Sequence, residues 1–455
     1  MIIEQLYTKC LSQGAYLIES EGEIAVIDPL REVNQYLDMA SKYQGKIKYI
    51  FETHFHADFV SGHLTLSELT GAPIIYGPNA TPSFKCYIAK DNEEFKVGKL
   101  KIKVIHTPGH TMESTTYLLL DEEGNQHAIF TGDTLFLGDV GRPDLAQKSS
   151  NTTMQDLASI LFDSLRNRIM TLPDDILIYP GHGAGSACGK NMSDETVGRL
   201  GEQKKLNYAL NQKLTREEFI SQVTEGLQTP PAYFPMNVKL NKEGYLPVDE
   251  VLSKSKKKWS VQELEKALEN ENVTILDVRH QSDFAKGHIP SSIFIGIDGG
   301  FAPWVGAVLK DVNQKIILVT EENRLNEVIT RLSRVGFDNV LGYLDGGIKA
   351  WESSGKQVGT VQTIDPIDFA KEYTTKDLKV LDVRNQNEFK KGHLSNVNCI
   401  PLSELENRIN EISETSFYVH CAGGYRSMIA NSILLKHHLS PIDVLGGYSA
   451  IKNHI

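Results

Sequence analysis

Two groups of residues in this chain have side chains that could perform chemistry. Cys421 precedes a glycine-containing segment, and far upstream His54, His110 and Asp133 each follow a strand-like segment. A cysteine thiolate is a side chain that can accept a sulfur atom. Two imidazoles and a carboxylate can hold a redox-active metal ion and leave coordination positions open. The sequence therefore indicates one sulfur-transfer site and one metal site.

The candidate metal ligands share a position at the ends of apolar, strand-like segments. A rigid sheet can fix ligands that are placed there. Four segments show the pattern: Tyr49–Phe51 before His54, Leu100–Ile105 before His110, Ala128–Phe130 before Asp133, and Ile176–Tyr179 before His182. Four imidazole or carboxylate groups in such places predict that they converge on one site.

The run His54-Phe55-His56-Ala57-Asp58, together with the downstream histidines and aspartate, resembles the metallo-β-lactamase fold. That fold carries the signature His-x-His-x-Asp-His, and the resemblance covers roughly residues 1–240. It implies an αββα domain. The chain departs from the signature at Phe59, where binuclear members have a histidine. A phenyl ring cannot coordinate a cation, so a single-metal site is predicted.

Persulfide dioxygenases within this fold are similar, and that resemblance implies Fe(II), one ion per chain. The implied ligands are His54, His110 and Asp133, with positions left for substrate and dioxygen. Zinc hydrolases of the fold use the residue at His56 as a ligand, so direct coordination by His56 is an alternative. Otherwise three residues are expected to orient the ligands and the substrate: His56, Asp58 and His182.

Three more residues near this set are candidates for handling the substrate. Arg142 could pair with an anionic substrate or with Asp144, because a guanidinium group matches a carboxylate. Cys188 lies six residues after His182 in a loop of small residues and could receive a transferred sulfur. An ion pair that stabilises a turn and a spectator cysteine are the alternatives.

The second half of the chain contains a repeat. Three motifs recur in the same order 100 to 105 residues later: Leu276–Arg279 as Leu381–Arg384, Gly287–Ile289 as Gly392–Leu394, and Gly346-Gly347 as Gly446-Gly447. Such a match indicates a duplicated domain. Short apolar runs alternate with helical stretches in each copy, which predicts parallel α/β sheets.

The second copy carries the cysteine loop. An apolar strand, Phe417–Val419, leads towards Cys421, and the loop opens into a helix at about Arg426. Backbone N–H groups and a helix N-terminus can stabilise a persulfide anion there. The loop resembles the Cys-x-x-Gly-x-Arg loop of rhodanese, and it encloses four residues where the similar cysteine phosphatases enclose five. The resemblance implies Cys421 as the sulfur carrier and a cradle of Ala422, Gly423, Gly424, Tyr425, Arg426 and Ser427.

The first copy lacks this nucleophile. The 100-residue offset places Glu321 opposite Cys421, and residues 240–398 contain no cysteine. Since the Asp-Val-Arg and Gly-His motifs occur in both copies, they are predicted to be structural. The predicted α/β multidomain chain consists of a metallo-β-lactamase-like domain at 1–240, a linker at 241–257, a degenerate rhodanese-like domain at 258–357 and an active rhodanese domain at 358–455.

The bulk composition limits the partners and the compartment. The 455 residues carry a net charge of −11 without a long basic run, so neither a nucleic-acid nor a membrane partner is expected. Five scattered cysteines indicate no disulfide framework and fit a reducing compartment. The sequence shows no signal-peptide core and no apolar stretch that could span a bilayer. A cytoplasmic protein, and a homo-oligomer, are expected.

The whole chain resembles bacterial fusions of a persulfide dioxygenase with two rhodanese domains. The resemblance implies that dioxygen oxidises the sulfane sulfur of a low-molecular-weight thiol persulfide to sulfite. It also implies that Cys421 exchanges sulfur with sulfite or thiosulfate, in a setting of sulfide detoxification. Two alternatives remain open: a zinc-dependent thioester hydrolase of the glyoxalase II kind fused to a sulfurtransferase, and a sulfur carrier with an idle N-terminal domain.

Overall fold

A computed structural model describes residues 1–146, 152–270 and 272–455 of the chain. These residues divide into two units, Met1–Val248 with Ser333–Gly336, and Asp249–Leu332 with Phe337–Ile455. Within the described ranges, no helix has the length and apolar character needed to cross a membrane. All five cysteines lie in those ranges, and none of them forms a disulfide.

The first unit is built on two mixed sheets. One sheet consists, in spatial order, of Ile2–Thr8, Gln13–Ser20, Glu23–Ile27, Lys46–Glu52, Ile74–Tyr76 and Tyr87–Ile88. The other consists of Gly198–Arg199, Leu177–Pro180, Gln126–Gly132, Thr115–Leu120, Leu100–His106 and Glu94–Val97. Side chains from both sheets, such as Phe51 and Phe130, form one buried core between them.

Helices cover the outer faces of these sheets. The helix Asn34–Lys42 packs its buried Tyr36 into a core with the first sheet, and Met154–Ser164 packs Leu161 against the second. Further α-helices among the described residues of this unit are His63–Thr70, Leu200–Leu206, Arg216–Thr224 and Phe234–Glu243. The layers are therefore helix, sheet, sheet and helix, as the αββα prediction requires.

The second unit contains two parallel sheets with the same strand order. The first runs Lys258–Trp259, Val340–Leu344, Lys315–Val319, Val273–Asp277 and Ile293–Phe294. The second runs Gln362–Ile364, Ser440–Val444, Ser416–His420, Val380–Asp382 and Asn398–Cys399. The buried runs predicted as strands form the centre of each sheet, because parallel strands are covered on both faces.

Helices connect the strands of each copy. In the first they are Val261–Asn270, Gln281–Lys286, Phe301–Leu309, Leu325–Arg334 and Gly347–Ser353; in the second they are Pro366–Thr375, Gln386–Lys391, Tyr425–Lys436 and Gly447–Ile451. Residues 241–257, predicted as a linker, hold the end of Phe234–Glu243 and the helix Val248–Lys254. The domain boundaries themselves stay a prediction.

The repeated Asp-Val-Arg motif makes the same contacts in both copies. Arg279 donates to the Asp277 carboxylate through Nε and Nη2, and to the carbonyl of Gly287 at 2.8 Å. Arg384 binds Asp382 in the same way and reaches the carbonyl of the equivalent glycine at 2.9 Å. Each arginine thus ties a strand end to the following turn, which supports a structural role for the motif.

Candidate functional site

Three predicted metal ligands meet where their strands end. Donor atoms of His54, His110 and Asp133 all lie within 4.8 Å of one another. The Nε2 atoms of His54 and His110 are 3.8 and 3.6 Å from Asp133 Oδ2, and the two rings are nearly perpendicular. All three side chains are buried. One centre of the predicted composition is therefore assembled from three distant segments of the chain.

Hydrogen bonds on the far side of each ring fix which nitrogen faces this centre. Thr53 Oγ1 donates its hydrogen to Asp28 at 2.8 Å, so it can only accept from His54 Nδ1, 2.9 Å away. His110 Nδ1 donates to the carbonyl of Arg142 at 2.9 Å. A neutral imidazole with a protonated Nδ1 carries its lone pair on Nε2. Both Nε2 atoms are therefore available to coordinate a cation.

The carboxylate of the set also fits a metal ion. Asp133 Oδ2 is buried and has no hydrogen-bond partner among the described residues, while Oδ1 accepts from His182 Nδ1 at 2.7 Å. Burial alone would raise the pKa of Asp133, but the neighbouring imidazoles, above all His182, outweigh it and lower that pKa. Burial, followed by the charge of His56, holds the pKa of His54 well below its usual value. A carboxylate together with two imidazole nitrogens accepts Fe(II) as well as Zn(II).

His56 faces two other carboxylates. Its Nε2 lies 3.2 Å from Asp28 Oδ1 and 3.3 Å from Glu52 Oε2, and all these side chains are buried. Burial opposes protonation, but Asp28, followed by Glu52, raises the pKa of His56 to about 10. The ring lies between those of His54 and Phe59, at centroid distances of 4.3 and 4.4 Å. These contacts support the predicted orienting role of His56, which stays a prediction.

His182 bridges two aspartates. Its Nε2 lies 2.8 Å from Asp58 Oδ2, and its Nδ1 lies 2.7 Å from Asp133 Oδ1. Burial would lower the pKa of His182, but Asp133 and then Asp58 raise it well above its usual value. Donor atoms of Asp58, His182 and Cys188 also lie within 4.8 Å of one another. These three residues therefore form a second group of possible metal donors beside the first. The single metal ion stays a prediction that depends on Phe59.

Cys188 is buried beside the same bridge. Burial, followed by the charges of Asp58 and Asp133, raises the pKa of its thiol well above the usual value. A neutral thiol is a poor nucleophile. The structure therefore brings Cys188 near the metal centre, whereas its role as a sulfur relay stays a prediction.

Arg142 and Asp144 form a two-pronged ion pair. Arg142 Nε and Nη2 lie 2.6 and 2.7 Å from the Asp144 oxygens. The guanidinium also donates to the carbonyl of Ala187 at 3.1 Å, and the Arg142 backbone N–H donates to that of Cys188 at 3.0 Å. These contacts join the loop that orients His110 to the loop of Cys188. They favour the turn-stabilising alternative over the predicted contact with substrate.

A pocket of about 410 Å³ opens beside His110. Phe55, Met112 and Val238 contribute apolar surface to it, and Lys242 places a cationic group on its lining. Pockets of this size hold small organic molecules. The pocket is therefore large enough for a small organic molecule beside His110.

The predicted persulfide loop lies between a strand and a helix. The strand Ser416–His420 ends directly before Cys421, and the helix Tyr425–Lys436 begins directly after Gly424. The Gly424 N–H donates to Cys421 Sγ at 3.1 Å, and the thiol is buried. A backbone N–H and a helix N-terminus stabilise negative charge on the sulfur. This arrangement supports a cradle at the sulfur, and the parts played by the individual loop residues stay a prediction.

The charged side chain of the loop, Arg426, forms an ion pair with a residue outside the loop. Arg426 binds Glu388 through both Nη atoms, each at 2.7 Å. Ser427 Oγ donates to a carbonyl within the loop at 3.1 Å, and Gly423 at the tip is exposed. The group that donates to the sulfur is thus the backbone N–H of Gly424, whereas Arg426 anchors the loop to its own domain.

The loop rests on Gly447, whose φ is +59°. A Cβ at Gly447 would lie 2.5 Å from the carbonyl oxygen of Cys421. We expect Gly447→Ala to lower sulfur transfer from thiosulfate to a thiol by about tenfold or more, because the loop must shift by a fraction of an ångström. Steady-state kinetics with thiosulfate and glutathione would measure the loss.

The first copy offers a matched control. Gly347 has a φ of +56°, and a Cβ added to it would meet none of the described atoms within 4 Å. Gly347→Ala therefore adds the same backbone strain without moving the persulfide loop. It should keep transfer within about twofold. Equal losses in the two variants would show that backbone strain, and not the displaced loop, is responsible.

Sequence reasoning did not single out Asp28, Glu52 or Thr53. The strand Glu23–Ile27 leads into Asp28, and Lys46–Glu52 ends at Glu52. The pattern that pointed to Asp133, an acidic residue at the end of an apolar strand, therefore also points to these two carboxylates. Thr53 carries no such signal, since its role depends on the direction of its hydroxyl.

Comparison with known proteins identifies two kinds of domain. The family model of the metallo-beta-lactamase superfamily matches residues 9–182, and that of the rhodanese-like domain matches residues 260–354 and 365–454. A metallo-beta-lactamase of known structure from Staphylococcus aureus subsp. aureus COL is 30% identical, with a TM-score of 0.67; the match covers 76% of this chain and 98% of that protein. The predicted fold class is confirmed.

Curated relatives of the N-terminal part fall into two groups. The cytoplasmic hydroxyacylglutathione hydrolase of Arabidopsis thaliana is 32% identical over 181 residues, 39% of this chain and 66% of the relative. The mitochondrial persulfide dioxygenase ETHE1 of Homo sapiens is 28% identical over 225 residues, 48% of this chain and 79% of the relative. The chain spans 60 to 66% of the length of the plant, yeast and slime-mould hydrolases that it matches.

Proposed function

We propose that this chain is a persulfide dioxygenase joined to a sulfurtransferase. The chain belongs to the metallo-beta-lactamase superfamily and carries two rhodanese-like domains after its metallo-beta-lactamase domain. Its substrate is a low-molecular-weight thiol persulfide, whose terminal sulfur is oxidised to sulfite. One observation carries the proposal: His54, His110 and Asp133 form a buried donor set, and Phe59 stands where binuclear members have a histidine.

The oxidation consumes one persulfide, one dioxygen and one water, and it yields the thiol, sulfite and two protons. His54, His110 and Asp133 would hold Fe(II), which would supply the dioxygen chemistry that side chains lack. The chain contributes orientation, because Thr53 and the Arg142 carbonyl hold both imidazoles with Nε2 inward. Burial of the three ligands limits the access of water. The pocket beside His110 receives the thiol carrier.

The transfer step uses the second rhodanese-like domain. Sulfite attacks the outer sulfur of the persulfide on Cys421, the S–S bond to Cys421 breaks, and a new S–S bond forms in thiosulfate. The electron pair of the broken bond remains on Cys421 as a thiolate. The Gly424 N–H, 3.1 Å from Sγ, and the start of the helix stabilise that charge. In the first copy Val319 pairs with Asp277 as His420 pairs with Asp382 in the second, so Thr320, and not the predicted Glu321, stands at the place of Cys421. No transfer step is assigned to the first copy.

The relatives support both this proposal and one alternative. The similarity to the human persulfide dioxygenase extends over 225 residues, against 181 for the Arabidopsis hydrolase. The identity is slightly higher for the hydrolase, 32% against 28%. The alternative is therefore a zinc-dependent thioester hydrolase of that kind fused to a sulfurtransferase. Phe59 argues against it, because such hydrolysis uses a hydroxide held between two metal ions.

Metal content and oxygen uptake separate the two functions. We expect protein purified without oxygen to hold about one iron per chain. With glutathione persulfide it should consume oxygen and release sulfite. Metal analysis and an oxygen electrode measure these quantities, and S-lactoylglutathione tests for thioester cleavage in parallel. Bound zinc together with thioester cleavage and no oxygen uptake would contradict the dioxygenase proposal and favour the hydrolase. Two metal ions per chain would have the same consequence.

A further inference from the structure

We infer that the first rhodanese-like domain positions the persulfide loop of the second through Tyr425. The Tyr425 hydroxyl donates to the carbonyl of Gly296 at 2.6 Å. Gly296 belongs to the first copy, whereas Tyr425 lies inside the loop that follows Cys421. The inference rests on the proposed role of Cys421 as sulfur carrier. It gives a function to the copy that has no cysteine.

A second contact anchors the same helix to the first copy. Ser432 follows Tyr425 by seven residues, so both lie on one face of the helix Tyr425–Lys436. Its Oγ accepts the backbone N–H of Phe294 at 3.0 Å. Phe294 belongs to the edge strand of the first copy's sheet, where an outward N–H lacks a neighbouring strand. The helix thus provides a hydrogen-bond acceptor for one backbone N–H at the edge of the first copy's sheet.

The burial of this helix fits two covering surfaces. Every residue from Ser427 to Leu434 is buried, and the polar Asn431 and Ser432 are among them. A helix that covers only its own sheet leaves one polar face exposed to solvent. Here the face opposite the helix's own sheet lies against the strand Ile293–Phe294 of the first copy. The burial of this helix in the second copy therefore depends on its contact with the first copy.

The first copy is shaped around the tyrosine ring. A Cβ at Gly299 would lie 2.3 Å from ring atoms of Tyr425, so only glycine leaves room there. The Phe294 ring meets the Tyr425 ring edge-on, at 6.2 Å between centroids. Ring and hydroxyl are thus both fixed by the first copy.

The position of Tyr425 determines the geometry at the sulfur. Tyr425 is the first residue of its helix and directly follows Gly424, whose N–H donates to Cys421 Sγ. A shift of Tyr425 moves this N–H and the helix start together. Both stabilise the thiolate that leaves when sulfur is transferred. Tyr425 is therefore a positioning residue that acts through Gly424.

Tyr425→Phe removes only the hydroxyl and tests the inference in the full chain. We expect kcat for thiosulfate-to-glutathione transfer to fall by roughly five- to tenfold, the effect of one hydrogen bond. KM for thiosulfate should stay within about twofold, and oxygen uptake with glutathione persulfide should not change. The control is Tyr373→Phe, which removes a hydroxyl bond to the carbonyl of Ser395 within the second copy alone.

A second pair of variants acts from the first copy. Gly299→Ala forces the Tyr425 ring to move, whereas at Gly300 the nearest atom to a Cβ would be 3.3 Å away, in the Trp304 ring. We expect Gly299→Ala to lower kcat for transfer and Gly300→Ala to preserve it. If Tyr425→Phe and Gly299→Ala both transfer sulfur at the rates of their controls, the inference is wrong. The Cys421→Ser variant tests the proposed sulfurtransferase function separately, because it removes the thiol that carries the sulfur.

Discussion

His54→Ala is expected to abolish oxygen uptake with glutathione persulfide while sulfur transfer through Cys421 continues. His54 supplies one of three metal donors, and His110 with Asp133 cannot hold the ion in the same way. Loss of a group that merely orients a ligand costs 10- to 100-fold, so loss of the ligand should exceed about 100-fold. Iron content should fall with the activity. Oxygen-electrode traces and metal analysis of the same preparation measure both.

His127→Ala is the matched control for this variant. His127 stands near the start of the strand Gln126–Gly132, and the strand leads to Asp133 at its other end. At about 3.3 Å per residue, roughly 20 Å separate the two positions. This variant should retain iron and oxygen uptake. Unchanged turnover in His54→Ala would mean that the N-terminal domain is idle and that the chain is a sulfur carrier.

Cys421→Ser should abolish sulfur transfer from thiosulfate to a thiol and leave oxygen uptake unchanged. A serine hydroxyl cannot form the persulfide, so the loss should exceed about 1000-fold, as for other removed nucleophiles. Mass spectrometry after incubation with thiosulfate should find one added sulfur in the native chain and none in the variant. Because the two sites use different residues, the dioxygenase step has no requirement for this thiol.

Cys399→Ser serves as the control, since Cys399 is a half-buried thiol in the same domain as Cys421. It should transfer sulfur at the native rate. Loss of oxygen uptake together with transfer in Cys421→Ser would show that the two sites are coupled and would contradict independent steps. Transfer that survives in Cys421→Ser would remove the sulfurtransferase part of the proposal.

The features that depend on residues close together in the chain, such as individual strands, could be predicted from the sequence. The strand-like run predicted at Leu100–Ile105 is the strand Leu100–His106, and the run Ala128–Phe130 lies within the strand Gln126–Gly132. The alternation of buried and exposed side chains and the polar residues at strand ends are local features, so they can be read along the chain. The internal repeat can also be read along the chain, and it predicted two sheets with the same topology.

Directions of side chains were not predictable. The sequence left open whether Arg142 pairs with an anionic substrate or with Asp144, and in the structure its guanidinium binds Asp144 and the Ala187 carbonyl. Cys188 was a candidate relay, and burial, followed by the charges of Asp58 and Asp133, raises the pKa of its thiol, while the relay role stays a prediction. Both outcomes depend on groups that come close only after folding.

The sequence by itself determined which chemistries are present: a thiol in an anion-stabilising loop, and two imidazoles with a carboxylate at strand ends. It also places Phe59 where binuclear members of the resembled fold have a histidine, which predicts a single ion. Tertiary structure alone decided which donors share a centre, since His56 turns to Asp28 and Glu52 while His54 meets Asp133. It also decided that Gly296 supports Tyr425. The physical reason is that hydrogen-bond partners and desolvation arise from contacts between segments far apart in the chain.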